Sequence, residues 1–296
     1  MGLHKQTVTR VVIWLQHYAL LAVVAMLAFA GNSLLCRLAL KGSSIDAASF
    51  TAVRLLSGAL VLALIVRLRS GALSASGDWP SALALFVYAA GFSAAYLQLS
   101  TATGALLLFG AVQVTMIAFG LWRGERLRAL QWLGLAAACV GLVEMLLPGL
   151  ASPPLSGSLL MVSAGVAWGV YSLRGRGKGD ATAVTAGNFW RAAILALFLS
   201  LLTLGSLHVE QSGLVLAVAS GALASGLGYA IWYTALRSLS PTTAASIQLT
   251  VPAIAALGAV LFLGEAVTLR LLITSVVILG GVALVIWGKA RAVPRP

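Results

Sequence analysis

Acidic side chains are nearly missing from this chain. Seven Asp and Glu stand against nineteen Lys and Arg in 296 residues, and charged residues of both signs make up 9%, where a soluble domain carries roughly 25%. That supply cannot cover a water-facing surface, which excludes a soluble globular enzyme. Histidine is confined to His4, His17 and His208, all near the ends of apolar runs or in loops. With no HExxH pair, no nucleophile-elbow serine and no GxxxxGK[ST] loop, metal-dependent, serine-dependent and nucleotide-driven chemistry have no carrier. The chain is therefore expected not to be an enzyme, and to hold no cofactor and no metal. Cys36 and Cys139 stand apart, without a CxxC pair, and read as small apolar packing residues. Long polar stretches are missing too: the breaks near 68–78 and 148–156 are too short for a further domain.

What the chain does have is apolar length. Hydrophobic residues reach 60%, with a mean hydropathy of +1.02. Helices inside a bundle can be apolar all round, so run length and breakers must count the spans rather than periodicity. They fall at 18–40, 46–67, 79–98, 101–122, 127–147, 155–174, 181–204, 211–235, 240–263 and 268–287. At 1.5 Å per residue, each run of about twenty residues crosses about 30 Å of hydrocarbon. The fold class expected is an all-α integral membrane protein with ten transmembrane helices. Lys5 and Arg10 before an apolar core that reaches Ala28-Phe29-Ala30 also suit a cleaved leader, but the run continues to Leu40 and reads as a retained span.

The formal charge of +12 raises nucleic acid as a partner, yet the placement of the basic residues argues for membrane topology. With the N-terminus inside, fourteen of the nineteen fall in inside segments, and only Arg37, Lys41 and Arg270 fall outside; Arg54 and Arg191 lie within spans. That bias in short loops predicts both termini on the cytoplasmic side. Asp46, Asp180 and Ser240-Pro241 supply start signals for spans two, seven and nine.

The pattern between Tyr229 and Glu265 occurs twice. Aligning Glu265 with Glu125 brings Thr243 onto Thr103 and Gly281 onto Gly141, and both apolar runs end in Gly-Glu. Such registration marks an internal duplication, with a boundary in the Pro148, Pro153, Pro154 linker: 1–150 and 151–296. Five spans per unit is odd, so the two units have opposite sense in the membrane, an arrangement recurrent among secondary transporters.

These residues resemble the EamA branch of the drug/metabolite transporter superfamily. The resemblance rests on Arg54 in AVRLLSGALVL, Arg191 in FWRAAILALFL, GYAIWYTALRSLSP at 228–241, the Pro252 region and both Gly-Glu endings. It implies two five-helix inverted repeats around a shared site. Span six, with Trp168 and Tyr171 in AWGVYS, looks like that of bacterial exporters of aromatic and neutral amino acids. The sequence departs from strict symmetry at Val112 against Pro252 and at Trp122-Arg123 against Phe262-Leu263.

Polar and ring-bearing residues away from span ends are the candidates for a site, because a polar group in hydrocarbon normally faces a bundle interior or an aqueous path. Tyr88, Phe92 and Tyr96 recur every four positions in span three, as Tyr229 and Tyr233 do in span eight beside Trp232. The resemblance places Trp168, Tyr171, Tyr229 and Trp232 on cavity-forming helices. Asn32, Gln113, Asn188, Trp190 and Gln248 complete the candidate substrate-binding set. Asn32, Gln113 and Gln248 suit either a ligand's ammonium or carboxylate or an interhelical hydrogen bond. Pro252 is the hinge candidate, since it removes a backbone donor. Arg54 and Arg191 can snorkel, pair with helix carbonyl ends or bind a carboxylate; their presence in both halves favours a structural role. Glu125 and Glu265 read as caps for following helix starts.

The expected function is export of small metabolites, amino acids foremost, across the bacterial cytoplasmic membrane by alternating access. No Asp or Glu takes a clear mid-membrane position, so no ion is expected to drive it. The alternatives are proton-coupled efflux of drugs or metabolites and, from other classes, a channel or an intramembrane enzyme. The partners expected are a small-molecule substrate and membrane lipid, with no nucleic acid, and a monomer as the working unit.

Overall fold

The computed structural model describes residues 2–42, 44–70, 76–124, 126–147, 152–175, 179–236, 239, 244 and 247–290, with side chains from Tyr18 to Gly288. Glu125, Pro148, Arg237, Ser240, Pro241 and Thr243, used above, lie outside the described residues.

Among the described residues, ten helices of nine residues or more follow in order, besides a short 3-10 turn at Leu204–Ser206: α1 (Gly2–Lys41), α2 (Ala47–Ser70), α3 (Trp79–Tyr96), α4 (Thr101–Trp122), α5 (Ala129–Leu146), α6 (Leu155–Gly175), α7 (Ala181–Leu202), α8 (Gln211–Leu236), α9 (Thr250–Leu263) and α10 (Leu269–Ala290). Eight of them are long and apolar enough to cross a membrane on those grounds alone. The other two fall short for visible reasons. Trp79, Pro80, Ser81, Tyr88, Ser93 and Tyr96 dilute α3, and α9 has 14 residues where a full crossing needs about 20. Among the described residues the β contact is one bridge, Ile45 with Val209. Two boundaries depart clearly from expectation: α1 begins at Gly2 rather than near 18, because the polar lead-in continues the helix, and α9 begins at Thr250 rather than near 240, after a turn at Leu249.

Caps start several helices as their side chains predict. Asp46 accepts from Ser49 N–H at 2.9 Å, Asp78 from Ser81 N–H at 2.9 Å and Asp180 from Thr182 N–H at 3.0 Å, which satisfies donors that a helix start leaves open.

Contacts between helix ends fix the direction of each pass. At one end Arg37 in the last turns of α1 meets Glu265 after α9, Glu265 meets the start of α4, Asp46 before α2 meets His208, and Arg270 of α10 meets Glu144 of α5. At the other end Arg174 of α6 meets Asp78 before α3, and Asn188 of α7 accepts from the Asp78 N–H. Successive passes alternate between this Arg37 end and this Arg174 end, so α1 starts and α10 finishes at the same end.

The packing is paired in the same sense. α5 packs on α10 and α2 on α7; α3 on α6 is matched by α8 on α1, α4 on α6 by α9 on α1, and α3 on α7 by α8 on α2. Exchanging each helix with the one five places on maps this set onto itself, as two inverted five-helix units require. The aligned glycines Gly141 and Gly281 both sit in the α5–α10 seam. A Cβ at Gly281 would run into Gly134 O and Ala138 N, and one at Gly141 into Ile278, so these backbones approach as only small residues allow. Outward, Leu60 and Leu64, Ile194, Leu197 and Leu201, and Leu272, Ile273 and Val276 stand exposed, an apolar belt suited to lipid.

Candidate functional site

Between the two halves lies a small cavity, in which about 20 Å³ can hold the centre of a water molecule. That suffices for a water or so and is closed to anything the size of an amino acid. Six of its lining residues come from the candidate set: Asn32 of α1, Tyr88 and Phe92 of α3, Trp168 of α6, Tyr229 of α8 and Gln248 just before α9. Phe29, Ser33, Leu108, Phe109, Ala224 and Ser225 complete the wall.

Trp168 is the hub of the rings. Its centroid lies 4.7 Å from Tyr88, 5.1 Å from Tyr229 and 5.4 Å from Tyr171, joining α3 of the first half to α8 of the second. Phe29 stands edge-on to Tyr229 at 5.6 Å and to Trp232 at 6.0 Å. Offset and edge geometries of this kind hold aromatic pairs together by about 0.5–1.5 kcal/mol each beyond their buried area. The polar groups are few and held. Ser220 donates to Asn32 Oδ1 at 2.7 Å, and Ser225 accepts from Arg54 Nε at 3.2 Å.

Ser220 and Ser225 belong to an unusual stretch. From Ser220 to Leu227 the middle of α8 winds as a π-helix, the wider turn that recurs at functional sites. It lies against α2 at Gly221, where a Cβ would run into Ser57 Oγ and Arg54 O. The sequence signalled this only as small residues.

The match to known proteins follows this geometry. The sequence model of the EamA-like transporter family fits residues 16–147 and again 155–287. The chain belongs to the EamA-like transporter family. It is 57% identical over 268 residues to the uncharacterized protein PA1977 of Pseudomonas aeruginosa, covering 90% of this chain and 93% of the relative. A solved crystal structure described only as a protein superposes with a TM-score of 0.67 at 23% identity, covering 94% of this chain and 99% of that one, which shows the shared fold. This EamA-like protein is thus a multi-pass member of a family of small-molecule membrane transporters.

The remaining candidates in this transporter lie around the cavity rather than in its wall. Tyr96 is buried one turn past Phe92, at 4.8 Å between rings, and donates to Thr101 O at 3.3 Å. Tyr171 approaches Thr185 at 3.4 Å between hydroxyls, while Trp232 is buried and Tyr233 half-buried against the core. Gln113 is buried one turn along α4 from Phe109, and its Nε2 has no partner among the described residues. Asn188 sits away from the cavity and holds the turn before α3 through the Asp78 N–H at 2.9 Å. Trp190 lies outside altogether. At 41% exposure it shares a face of α7 with Ile194, Leu197 and Leu201, so it points away from the bundle.

The four charged or hinge candidates within the described residues separate cleanly. Arg191 donates to Ser76 O at 3.0 Å, in the segment before α3, and to Gly187 O at 2.8 Å, within α7 itself, so backbone carbonyls hold it but not those of a helix end. Arg54 is 1% exposed, with Nη2 donating to Tyr88 OH at 2.8 Å and its guanidinium 5.0 Å from the Phe92 ring centroid. Glu265 accepts from Thr101 N–H at 2.7 Å and pairs with Arg37 at 3.2 Å. It therefore caps α4 across the molecule, not the helix that follows it. Gly264 makes this possible: at φ +63° it takes a left-handed conformation open to glycine and ends α9 so that Glu265 turns back. Gly124, at φ +89°, occupies the matching place after α4, which gives the repeated Gly-Glu its backbone reason. Pro252 stands in the first turn of α9, where a missing N–H is harmless. The turn at Leu249 separates it from the helical pair Ile247 and Gln248.

Sequence reasoning missed Phe29, Leu108, Phe109 and Ala224 as lining, and Arg37 as a closing residue. Phe29 precedes Asn32 by three positions and so shares its face of α1. Arg37 carried a signal of its own as one of three basic residues on the sparse side.

Proposed function

We propose that this EamA-like protein exports small metabolites, aromatic and other neutral amino acids foremost, across the bacterial cytoplasmic membrane by alternating access, as a monomer with both termini cytoplasmic. The observation that carries this reading is the ring-lined cavity at the meeting of the two halves, walled by Tyr88, Phe92, Trp168 and Tyr229 with Asn32, Ser225 and Gln248 among them. Aromatic walls with a few placed polar groups suit a small amphipathic ligand. The cavity is too small for one as it stands, so a ligand enters only when the halves part at one end. That condition supports a carrier over a channel, which needs a continuous wet path. Among the described residues, no Asp or Glu lines the cavity. We therefore assign no ion coupling.

The test is counterflow in liposomes. Vesicles loaded with unlabelled L-phenylalanine or L-tryptophan should accumulate the labelled amino acid transiently and saturably. No counterflow with any neutral amino acid would remove the substrate assignment, and steep dependence on an imposed ΔpH would remove uncoupled movement.

A further inference from the structure

We propose that Arg54 is the anion anchor of the central cavity, so that the transported molecule carries a carboxylate and an organic cation is rejected. This rests on the transport reading above and sharpens it from a substrate size to a charge.

Arg54 is buried to 1% exposure in the middle of α2. Its Nε donates to Ser225 Oγ at 3.2 Å, its Nη2 donates to Tyr88 OH at 2.8 Å, and its Nη1 is buried with no hydrogen-bond partner. The rings of Tyr88 and Phe92 lie 5.1 and 5.0 Å from the guanidinium carbon. Tyr88, Phe92 and Ser225 all line the cavity, so the guanidinium stands directly behind its wall. Hydroxyls and ring faces satisfy donors, but none of them cancels a full charge.

The other cations set the contrast. Arg37, Arg174 and Arg270 each meet a carboxylate, on Glu265, Asp78 and Glu144. Arg191 spends Nη1 on two carbonyls. Among these five arginines, Arg54 and Arg191 have no described carboxylate beside them, and of the two only Arg54 is buried to 1% with an Nη1 that has no partner. A buried charge is normally paired, and an intramembrane one marks a substrate path by default. Arginine stays protonated, and no described carboxylate stands beside this one, so the ligand is the partner assigned to it. A carboxylate entering between Tyr88 and Ser225 would accept from both hydroxyls, which keep their own protons to donate, and would face the positive charge directly behind them, while the open Nη1–H shows that the chain leaves this guanidinium short of partners. The same charge works against an amine with no acid group.

The experiment uses the full-length protein purified in detergent and isosteric probe pairs: benzoate against benzamide, and indole-3-propionate against indole-3-propionamide. The wild type should be thermally stabilised by each carboxylate at concentrations at least about tenfold below those needed for its amide. Arg54→Met should abolish that preference. Should Arg54→Met fail to fold, Arg54→Lys takes its place; keeping the charge without the planar fork, it should retain the preference with weaker binding. Amides that stabilise the wild type as well as carboxylates do would overturn the proposal, and so would a carboxylate preference that survives in Arg54→Met. Counterflow of L-phenylalanine on the same wild-type preparation separates the two readings. Lost counterflow with an intact, Arg54-dependent carboxylate preference supports the anchor and removes the amino-acid assignment. Intact counterflow without the preference overturns the anchor alone.

Discussion

Two tryptophans, Trp168 and Trp190, show what a single residue can and cannot reveal. Both sit within apolar spans, and both were reasonable candidates. Trp168 touches three rings and lines the cavity, whereas Trp190 lies on the outer face of α7. Trp168→Ala should therefore lower amino-acid counterflow by more than tenfold, since loss of even one aromatic contact of about 1 kcal/mol accompanies loss of the cavity wall. Trp190→Ala should stay within about twofold of wild type. Equal effects in liposomes of matched protein content would mean that the cavity is not the transport site. The face of α3 was legible because Tyr88, Phe92 and Tyr96 repeat at helical spacing. The face of α7 was not, because lipid and protein interior are both apolar and leave the sequence no contrast to display.

At the level of the element, the ends of helices were legible and their interiors were not. Asp46 and Asp180 announced their caps, and Gly-Glu announced the end of α9. The π-helical turn in α8 depends instead on what lies across from it: Gly221 meets the Arg54 carbonyl and the Ser57 hydroxyl of α2, a contact between residues far apart in the chain. Pro252 is a related case. It stands in the first turn of α9, where its missing N–H costs no bond within that helix, and the irregularity falls just before it, at Leu249. The break thus sits beside the cavity wall rather than in the middle of α9. The weight of the α2–α8 contact can be measured. Gly221→Val forces side-chain atoms into Ser57 and the Arg54 carbonyl, and overpacking of this kind costs about 1–3 kcal/mol. Its thermal midpoint in detergent should fall by several degrees. Gly280→Ala, where nothing lies within 4 Å of the added Cβ, should leave the midpoint unchanged or raise it, as expected for alanine in a helix. A Gly221→Val protein as stable as the Gly280→Ala one would show that this contact does not set the turn.

Across the whole molecule, the alternating access proposed above requires that one end be locked while the other is free to change. The Arg37 end carries a visible lock: Glu265 of the second half holds Arg37 of α1 and the first N–H of α4, and Arg37 Nη1 also donates to Tyr96 O at 2.7 Å. One carboxylate thereby ties α1, α4 and, through Arg37, the end of α3 to the end of α9. Hydrogen bonds to a charged group contribute about 1.5–3 kcal/mol each, and about 1.4 kcal/mol is a tenfold change in a two-state equilibrium. Glu265→Gln keeps the shape and loses the charge, so it should populate conformations open at the Arg37 end at least tenfold more than wild type. Cys36, one residue from Arg37 and fully buried, is a native reporter of that opening. In a Cys139→Ala background, a membrane-impermeant maleimide applied from the Arg37 side should label Cys36 slowly in the wild type and about tenfold faster in Glu265→Gln. If the two rates are equal, the ion pair is a surface ornament of a rigid bundle. The closure of the cavity would then have to come from the aromatic packing between Phe92, Tyr96 and α4 alone.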